Sequence, residues 1–357
     1  MEQLIDIYGE GAVLFGIAIT VGMGFGAAAQ HSRFCLRAAT VEFSQRTFGP
    51  SIAIWFVAFS AAVASVQFLV AQGYLDVSQA RQIATTGSLS GAVIGGLLFG
   101  AGMILARGCA SRLLVLSATG NLRAIVTGLV LTLTAQASLR GVFAPARETL
   151  SAIWTIPGGA SRDLLSYVHL SPQTVFHVAA FTVAVSLWFA WRRQHRISRI
   201  IAALLVGLSI GLGWLGTYLV AQASFEVVPI SSITFTGPSA DTLMGLVNER
   251  RLPLGFGSGL VPGVFLGAFI MAVLTKEARI QRFEPDTPME RYLVGGTLMG
   301  FGSMLAGGCA VGAGMSGGSI FALTAWLALF SMWIGAAAMQ MTLAVAVSSK
   351  DAAKTAI

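Results

Sequence analysis

Charge is what this chain has least of. Only 10% of its 357 residues are Asp, Glu, Lys or Arg, whereas a soluble domain carries roughly 25%, because its surface faces water. With 55% hydrophobic residues and a mean hydropathy of +0.77, most of the surface must face lipid, which excludes an ordinary soluble fold. Lysine is nearly missing (Lys276, Lys350 and Lys354 only), so arginine supplies most of the net charge of +7. The basic residues sit in short clusters between apolar stretches and form no basic face, so nucleic acid is excluded as a partner. Cysteine is scarce too. Three is too few, and odd, for a disulfide framework. There is no CxxC and no Cys/His zinc spacing, and His31, His169, His177 and His195 do not gather around the thiols, so no metal or cofactor is expected. The nucleotide-binding pattern GxxxxGK[ST] is missing as well, so ATP hydrolysis by this chain is not expected. The N-terminus (Met1, Glu2, Asp6, Glu10) is acidic where a secretion signal needs a basic region. The first apolar span is therefore expected to remain in place.

What is there in abundance is apolar sequence cut into spans. A membrane helix needs about 20 mostly apolar residues. On that rule nine spans are expected, near Gly11–Ala29, Pro50–Gln72, Gly87–Ala106, Leu122–Leu139, Gln173–Trp191, Ile200–Gln222, Gly255–Leu274, Tyr292–Ala306 and Phe321–Ser348. Alternate connections differ in Lys and Arg. One set holds Arg33, Arg37, Arg46, Arg107, Arg112, Arg123, Arg192, Arg193, Arg196, Arg199, Lys276, Arg279, Arg282, Arg291, Lys350 and Lys354, 16 in all. The other holds 6: Arg81, Arg140, Arg147, Arg162, Arg250 and Arg251. The positive-inside rule then expects the N-terminus outside and the C-terminus in the cytoplasm of a multi-pass protein of the bacterial inner membrane. The stretch 141–172, with Pro145, Pro157 and Pro172, is long for a connection and has no assigned structure at this stage.

An internal repeat organises the spans. Residues 95–110 read GGLLFGAGMILARGCA and residues 295–310 read GGTLMGFGSMLAGGCA, identical at ten of sixteen positions with an offset of 200 and no gap. AQHSRFC ending at Cys35 is echoed by AQASFE ending at Glu226, and Gln136-Ala-Ser-Leu by Gln340-Met-Thr-Leu. The expected fold is an all-α integral membrane protein. It is a single transmembrane domain over 1–357, with a first repeat over 11–140, a linker helix over 173–191 and a second repeat over 200–348. Four spans, a linker span and four more place the repeats in opposite orientation, the inverted plan of many transporters.

Three segments interrupt the spans: Gln-His-Ser-Arg-Phe-Cys-Leu-Arg after Ala29, Arg-Gly-Cys-Ala-Ser-Arg after Ala106, and Gly-Gly-Cys-Ala-Val-Gly-Ala-Gly after Ala306. Glycine-rich backbone at membrane depth is tolerated only where protein buries it or a cavity lies beside it. They are expected to be re-entrant loops or broken helices, with Cys35, Cys109 and Cys309 at half-helix starts. A helix N-terminus offers free N–H groups to an anion, and Gly108 and Gly308 would let one approach the backbone. Arg37 and Arg112 lie beside cysteine motifs and Ser111 follows Cys109 by two, which completes the candidate substrate-binding set. A thiol is a weak, polarizable partner, suited to a solute that must also leave. The bland reading competes: an apolar-segment cysteine is ordinarily a small buried hydrophobe.

The pair Arg107-Gly-Cys-Ala-Ser and Gly307-Gly-Cys-Ala-Val-Gly-Ala-Gly-Met-Ser-Gly, with Cys35 after the first span, resembles the YeeE/YedE family of sulfur-compound transporters. The resemblance implies import of thiosulfate, with Cys35, Cys109 and Cys309 as successive contacts through S–H···S hydrogen bonds. It also implies an hourglass interior lined by buried loops and a small cytoplasmic sulfur-carrier protein as partner. On the residues alone, sulfite, sulfide or a selenium analogue remain open as substrates. So do a membrane sulfurtransferase working through a cysteine persulfide and a soft-metal permease. No general base stands beside a cysteine and no Met/His cluster offers metal ligands, which favours a transporter that is not an enzyme. Two thiols are expected nearer the cytoplasmic side and one nearer the outside, with Glu226 as the counterpart of Cys35.

Overall fold

A computed structural model describes residues 1–250, 252–282 and 288–355. Arg251 and the side chains of Lys350 and Lys354, counted above among the connection charges, lie outside the described residues. A short α1 (Glu2–Tyr8) precedes α2 (Glu10–Ser32), then a half-length α3 (Leu36–Ser44) and α4 (Pro50–Ala71). One turn of helix, α5 (Arg81–Ala84), and strand β1 (Gly87–Ser88) lead into α6 (Leu89–Leu105), a half-length α7 (Ala110–Ala118) and α8 (Leu122–Arg140). After α9 (Ala144–Ala152), β2 (Thr155–Ile156), a 3-10 turn (Ala160–Arg162) and α10 (Leu164–Val168) come α11 (Pro172–Arg192) and α12 (Ile197–Ala223). The chain closes with α13 (Thr236–Asn248), α14 (Phe256–Leu274), α15 (Met289–Leu305), a π-helical turn (Ala310–Gly317) and α16 (Leu323–Thr355).

Nine helical segments among the described residues are long and apolar enough to cross a membrane, and they coincide with the nine expected spans. The protein is an all-α integral membrane protein. Local chemistry sets the helix starts. Pro50 follows Gly49 at the start of α4, and both Glu42 carboxylate oxygens accept from its first free amides, Ser51 N at 3.0 Å and Ile52 N at 2.9 Å. Asn121 caps α8 by accepting from Ala124 N at 3.0 Å, and Ser88 caps α6 by accepting from Gly91 N at 2.8 Å.

The order long, short, long, long, short, long occurs twice, first as α2, α3, α4, α6, α7, α8 and again from α12 to α16. Contacts come in matching pairs: α2 on α14 and α12 on α4, α16 on α6 and α8 on α15. At the centre, α6 meets α15 through glycines at the repeat offset. A Cβ on Gly95 would lie 2.5 Å from Gly302 O, and one on Gly302 2.7 Å from Gly95 O. A Cβ on Gly102 would lie 2.7 Å from Gly295 O, and one on Gly295 2.8 Å from Gly102 O. Early residues of one helix thus face late residues of the other, so the two run antiparallel. Reciprocal contacts of this kind mark a local two-fold axis, here perpendicular to the helices. Small residues at the seam let the backbones touch, which supplies the packing that lipid cannot drive.

The connection 141–172 folds as a cap on one end of the bundle. β1 pairs antiparallel with β2, Gly87 opposite Ile156. Arg162, read from sequence as a topology charge, is buried instead and holds three segments together. It donates to Thr85 O at 2.5 Å, Arg81 O at 3.4 Å and Thr324 Oγ1 at 2.7 Å. Burial lowers its guanidinium from the usual arginine range.

The seam between α2 and α14 is as close as the central one, since a Cβ on Gly26 would run into Val264 O. Gly26→Val should lower stability by about 3 kcal/mol or more. Gly16→Val, on an exposed face with nothing within 4 Å, should leave the melting temperature in detergent nearly unchanged.

Candidate functional site

All three cysteine turns are built the same way. A long helix ends, one residue enters the left-handed region, one more follows, and the cysteine caps a short helix. The left-handed residues are Arg33 (φ 56), Arg107 (φ 54) and Gly307 (φ 80). Cys35 caps α3, Cys109 caps α7 and Cys309 caps the π-helical turn. For Arg33 and Arg107 this backbone costs roughly 1–2 kcal/mol each, repaid in part by closing bonds such as Gly108 N to Met103 O at 3.1 Å. The glycines after the turns have a packing reason. A Cβ on Gly308 would lie 2.9 Å from Ala313 N, and one on Gly108 3.3 Å from Leu113 Cδ2. Phe34 stands at the equivalent place before Cys35, so that turn has room for a side chain.

Cys35 and Cys109 come together, close enough for their thiols to interact. Cys35 is half-buried, while Cys109 is buried and its Sγ lies 3.4 Å from Ser111 Oγ. The guanidiniums of Arg112 and Arg37 both act on the Cys35 thiol. Among the predicted site residues, Cys35, Cys109, Ser111, Arg37 and Arg112 therefore form one cluster. Cys309 and Gly308 belong to the second half, where the π-helical turn that Cys309 caps packs against α7.

The Cys309 turn is scaffolded entirely from inside the protein. Its Sγ accepts from Gly312 N at 3.4 Å, and every residue from Ala310 to Gly317 is buried. Gln67 of α4 donates to Ser319 O at 2.8 Å, Trp214 of α12 to Ser316 O at 3.3 Å, and Ser316 Oγ to Ile233 O at 2.7 Å. This is how a glycine-rich π-turn is held at membrane depth, where an unmet backbone group costs several kcal/mol.

The structure corrects the expected counterpart of Cys35. Glu226 is exposed and lies near the start of a long non-helical stretch, 224–235, that ends at the cap of α13. The residue at that cap is Phe235, buried and packed on Phe25 with ring centroids 5.4 Å apart. The sequence echo matched the ends of the long helices but missed nine extra residues between helix end and cap. Beside Phe235, the Thr236 hydroxyl is buried and has no hydrogen-bond partner among the described residues. Thr234 presses on Gly312, three residues from Cys309.

Sequence reasoning also missed the partners of Gln30. Gln30 Nε2 donates to Glu277 Oε2 at 2.7 Å, and its Oε1 accepts from Arg112 Nη1 at 3.4 Å. Arg33 Nη2 pairs with Glu277 Oε1 at 3.1 Å. Residues 247 positions apart carry no local signal of such a contact.

The profile of the family described as Sulphur transport matches residues 31–338. The chain belongs to that family. It is 28% identical over 277 residues to the thiosulfate transporter TsuA of Escherichia coli K12, covering 69% of this chain and 72% of that one. It is 27% identical over 339 residues to the thiosulfate transporter TsuA of Spirochaeta thermophila, covering 89% of this chain and 95% of that one.

Exposure separates the three thiols. In detergent, a water-soluble maleimide should label Cys35 about tenfold faster than Cys109 or Cys309, each 1% exposed. Mass spectrometry of single-cysteine variants reads the three rates.

Proposed function

We propose that this family member imports a small sulfur oxyanion, thiosulfate first among them, along a path that touches Cys309, Cys109 and Cys35. The observation that carries the reading is that each thiol caps the start of a short helix within the fold. Each turn pairs a soft, weak hydrogen-bonding group with the positive end of a helix dipole. The outer sulfur of thiosulfate is large and polarizable, a match for a neutral thiol, while its oxygens suit backbone amides and guanidiniums. Both relatives are named as thiosulfate transporters. Neutral thiols serve this path, because a thiolate would repel the anion.

The path is asymmetric in this reading. One side offers Cys309 alone, with Phe235 at the place equivalent to Cys35; the other offers the Cys35–Cys109 pair with Arg37 and Arg112. The Lys and Arg bias places the paired thiols toward the cytoplasm, with the N-terminus outside and the C-terminus inside. The two halves, 11–140 and 200–348, are then inverted repeats joined by the linker helix over 173–191. α11 supports this role: it lies on α4 and α12, at the junction of the halves. A small sulfur-carrier protein would receive the anion at the cytoplasmic face, where arginines surround the exit.

Growth on thiosulfate in cells without other uptake routes tests the path. Cys109→Ala and Cys309→Ala should each lower uptake about tenfold or more, the worth of one buried hydrogen bond to an anion. Cys35→Ala should have a smaller effect, since Cys109 remains beside the exit. Full growth with all three cysteines replaced would sink the path.

A further inference from the structure

Beside Arg112 lies a polar cavity of about 300 Å³ whose charged and amide lining includes Gln30, Arg33, Arg112, Lys276, Glu277 and Arg279. Four of those six side chains are cationic and one is a carboxylate. The volume is that of about ten water molecules, room for an oxyanion and part of its hydration. Arg112 joins the cavity to the thiols, because it acts on both Cys35 and Cys109 and also on Glu277. Its Nη1 reaches into the cavity to Gln30 Oε1 at 3.4 Å.

The carboxylate occupies the place an anion would take. Glu277 Oε2 accepts from Gln30 Nε2 at 2.7 Å and Oε1 from Arg33 Nη2 at 3.1 Å, so the donors at the end of α2 are engaged by a side chain of the second half. The loop that carries Glu277 is pinned on its far side. Arg279 N donates to Thr119 O at 3.1 Å and Gln281 N to Gly120 O at 3.0 Å, and Asn121 Nδ2 donates to Gln281 Oε1 at 2.7 Å. Glu277 is half-exposed and at the free edge of this loop, so it can swing without unpicking the backbone pairing.

We infer that this cavity is a second anion site, for a small dianionic oxyanion, and that Glu277 is its resident carboxylate, displaced when the anion arrives. The inference deepens the transport reading and rests on it for the source of the anion. The resident charge makes the site weak when empty, because an incoming anion must break the Arg33 and Gln30 bonds that Glu277 holds. It also gives the site a way to release, since the carboxylate can reclaim its donors. A multi-site path needs release as much as capture.

Protonation does not operate this site. Burial pushes the Glu277 carboxyl up, but the Arg33 bond and charge, the Gln30 bond and the Arg112 charge outweigh it and hold the group below the usual carboxylate range. The groups that face Glu277 are Arg33 and Gln30 from α2, Arg112 from α7, and Lys276 and Arg279 from its own loop. A carboxyl with a lowered pKa stays ionised throughout the neutral range, so its competition with the anion is constant there.

Equilibrium binding of radiolabelled sulfate to the purified protein in detergent tests the inference, because sulfate has no outer sulfur to engage the thiols. Glu277→Gln should bind sulfate about tenfold more tightly than wild type, and equally so at about pH 6 and about pH 8. Glu277→Asp, which keeps the charge, should stay near wild type, and Arg112→Gln should weaken binding. Glu277→Ala reports the same gain should the Gln variant fail to fold. Sulfate affinity unchanged or weaker in both neutral variants would overturn the inference. The variant with all three cysteines replaced by alanine separates the two readings. If it keeps the sulfate site but still transports thiosulfate, the thiol path fails and the cavity stands.

Discussion

In hydrocarbon there is no water to satisfy a stray backbone amide, and everything notable in this fold answers to that constraint. The three cysteine turns break long helices in the apolar interior. Each break exposes amides and carbonyls that must be met or used. Part of the demand is met by left-handed closures such as Gly308 N to Ser303 O at 2.8 Å. Part is met by side chains sent from neighbouring helices, Gln67 and Trp214 among them.

Those breaks survive because the bundle around them is tight. Glycines bring α6 onto α15 and α2 onto α14 at backbone contact, so the turns lie in protein rather than lipid. Symmetry does half of the construction. One glycine pattern, used twice, makes both sides of the central seam. Where the halves differ, a thiol caps α3 while a phenyl group caps α13, and Arg37 and Arg112 lie beside the Cys35–Cys109 pair.

Much of this was legible in the sequence, for identifiable reasons. Spans are written as runs of apolar residues, and the offset of 200 between Gly95 and Gly295 places the two central helices in register. The cysteines announced helix starts because glycine and arginine at the preceding positions cannot comfortably continue an apolar span. The rest was hidden by distance or by insertion. The bond from Gln30 to Glu277 joins positions far apart, and the motif that holds Gln30 carries nothing that points to Glu277. The match of Cys35 to Glu226 failed because the second half carries a longer non-helical stretch, and counting from the helix end stops short of Phe235. Arg162 reads as a surface charge until the cap over 141–172 is folded around it.

The central seam also restricts how the protein can move. Hinged or shearing halves need an interface of side chains that can slide or repack. Between α6 and α15 there are almost none, for the carbonyls of one helix rest on the bare α-carbons of the other. Rotating one half against the other would open voids that no side chain is long enough to refill. A body held this way favours small side-chain movements over the rotation of one half against the other, as a stone arch holds its span while its keystones settle.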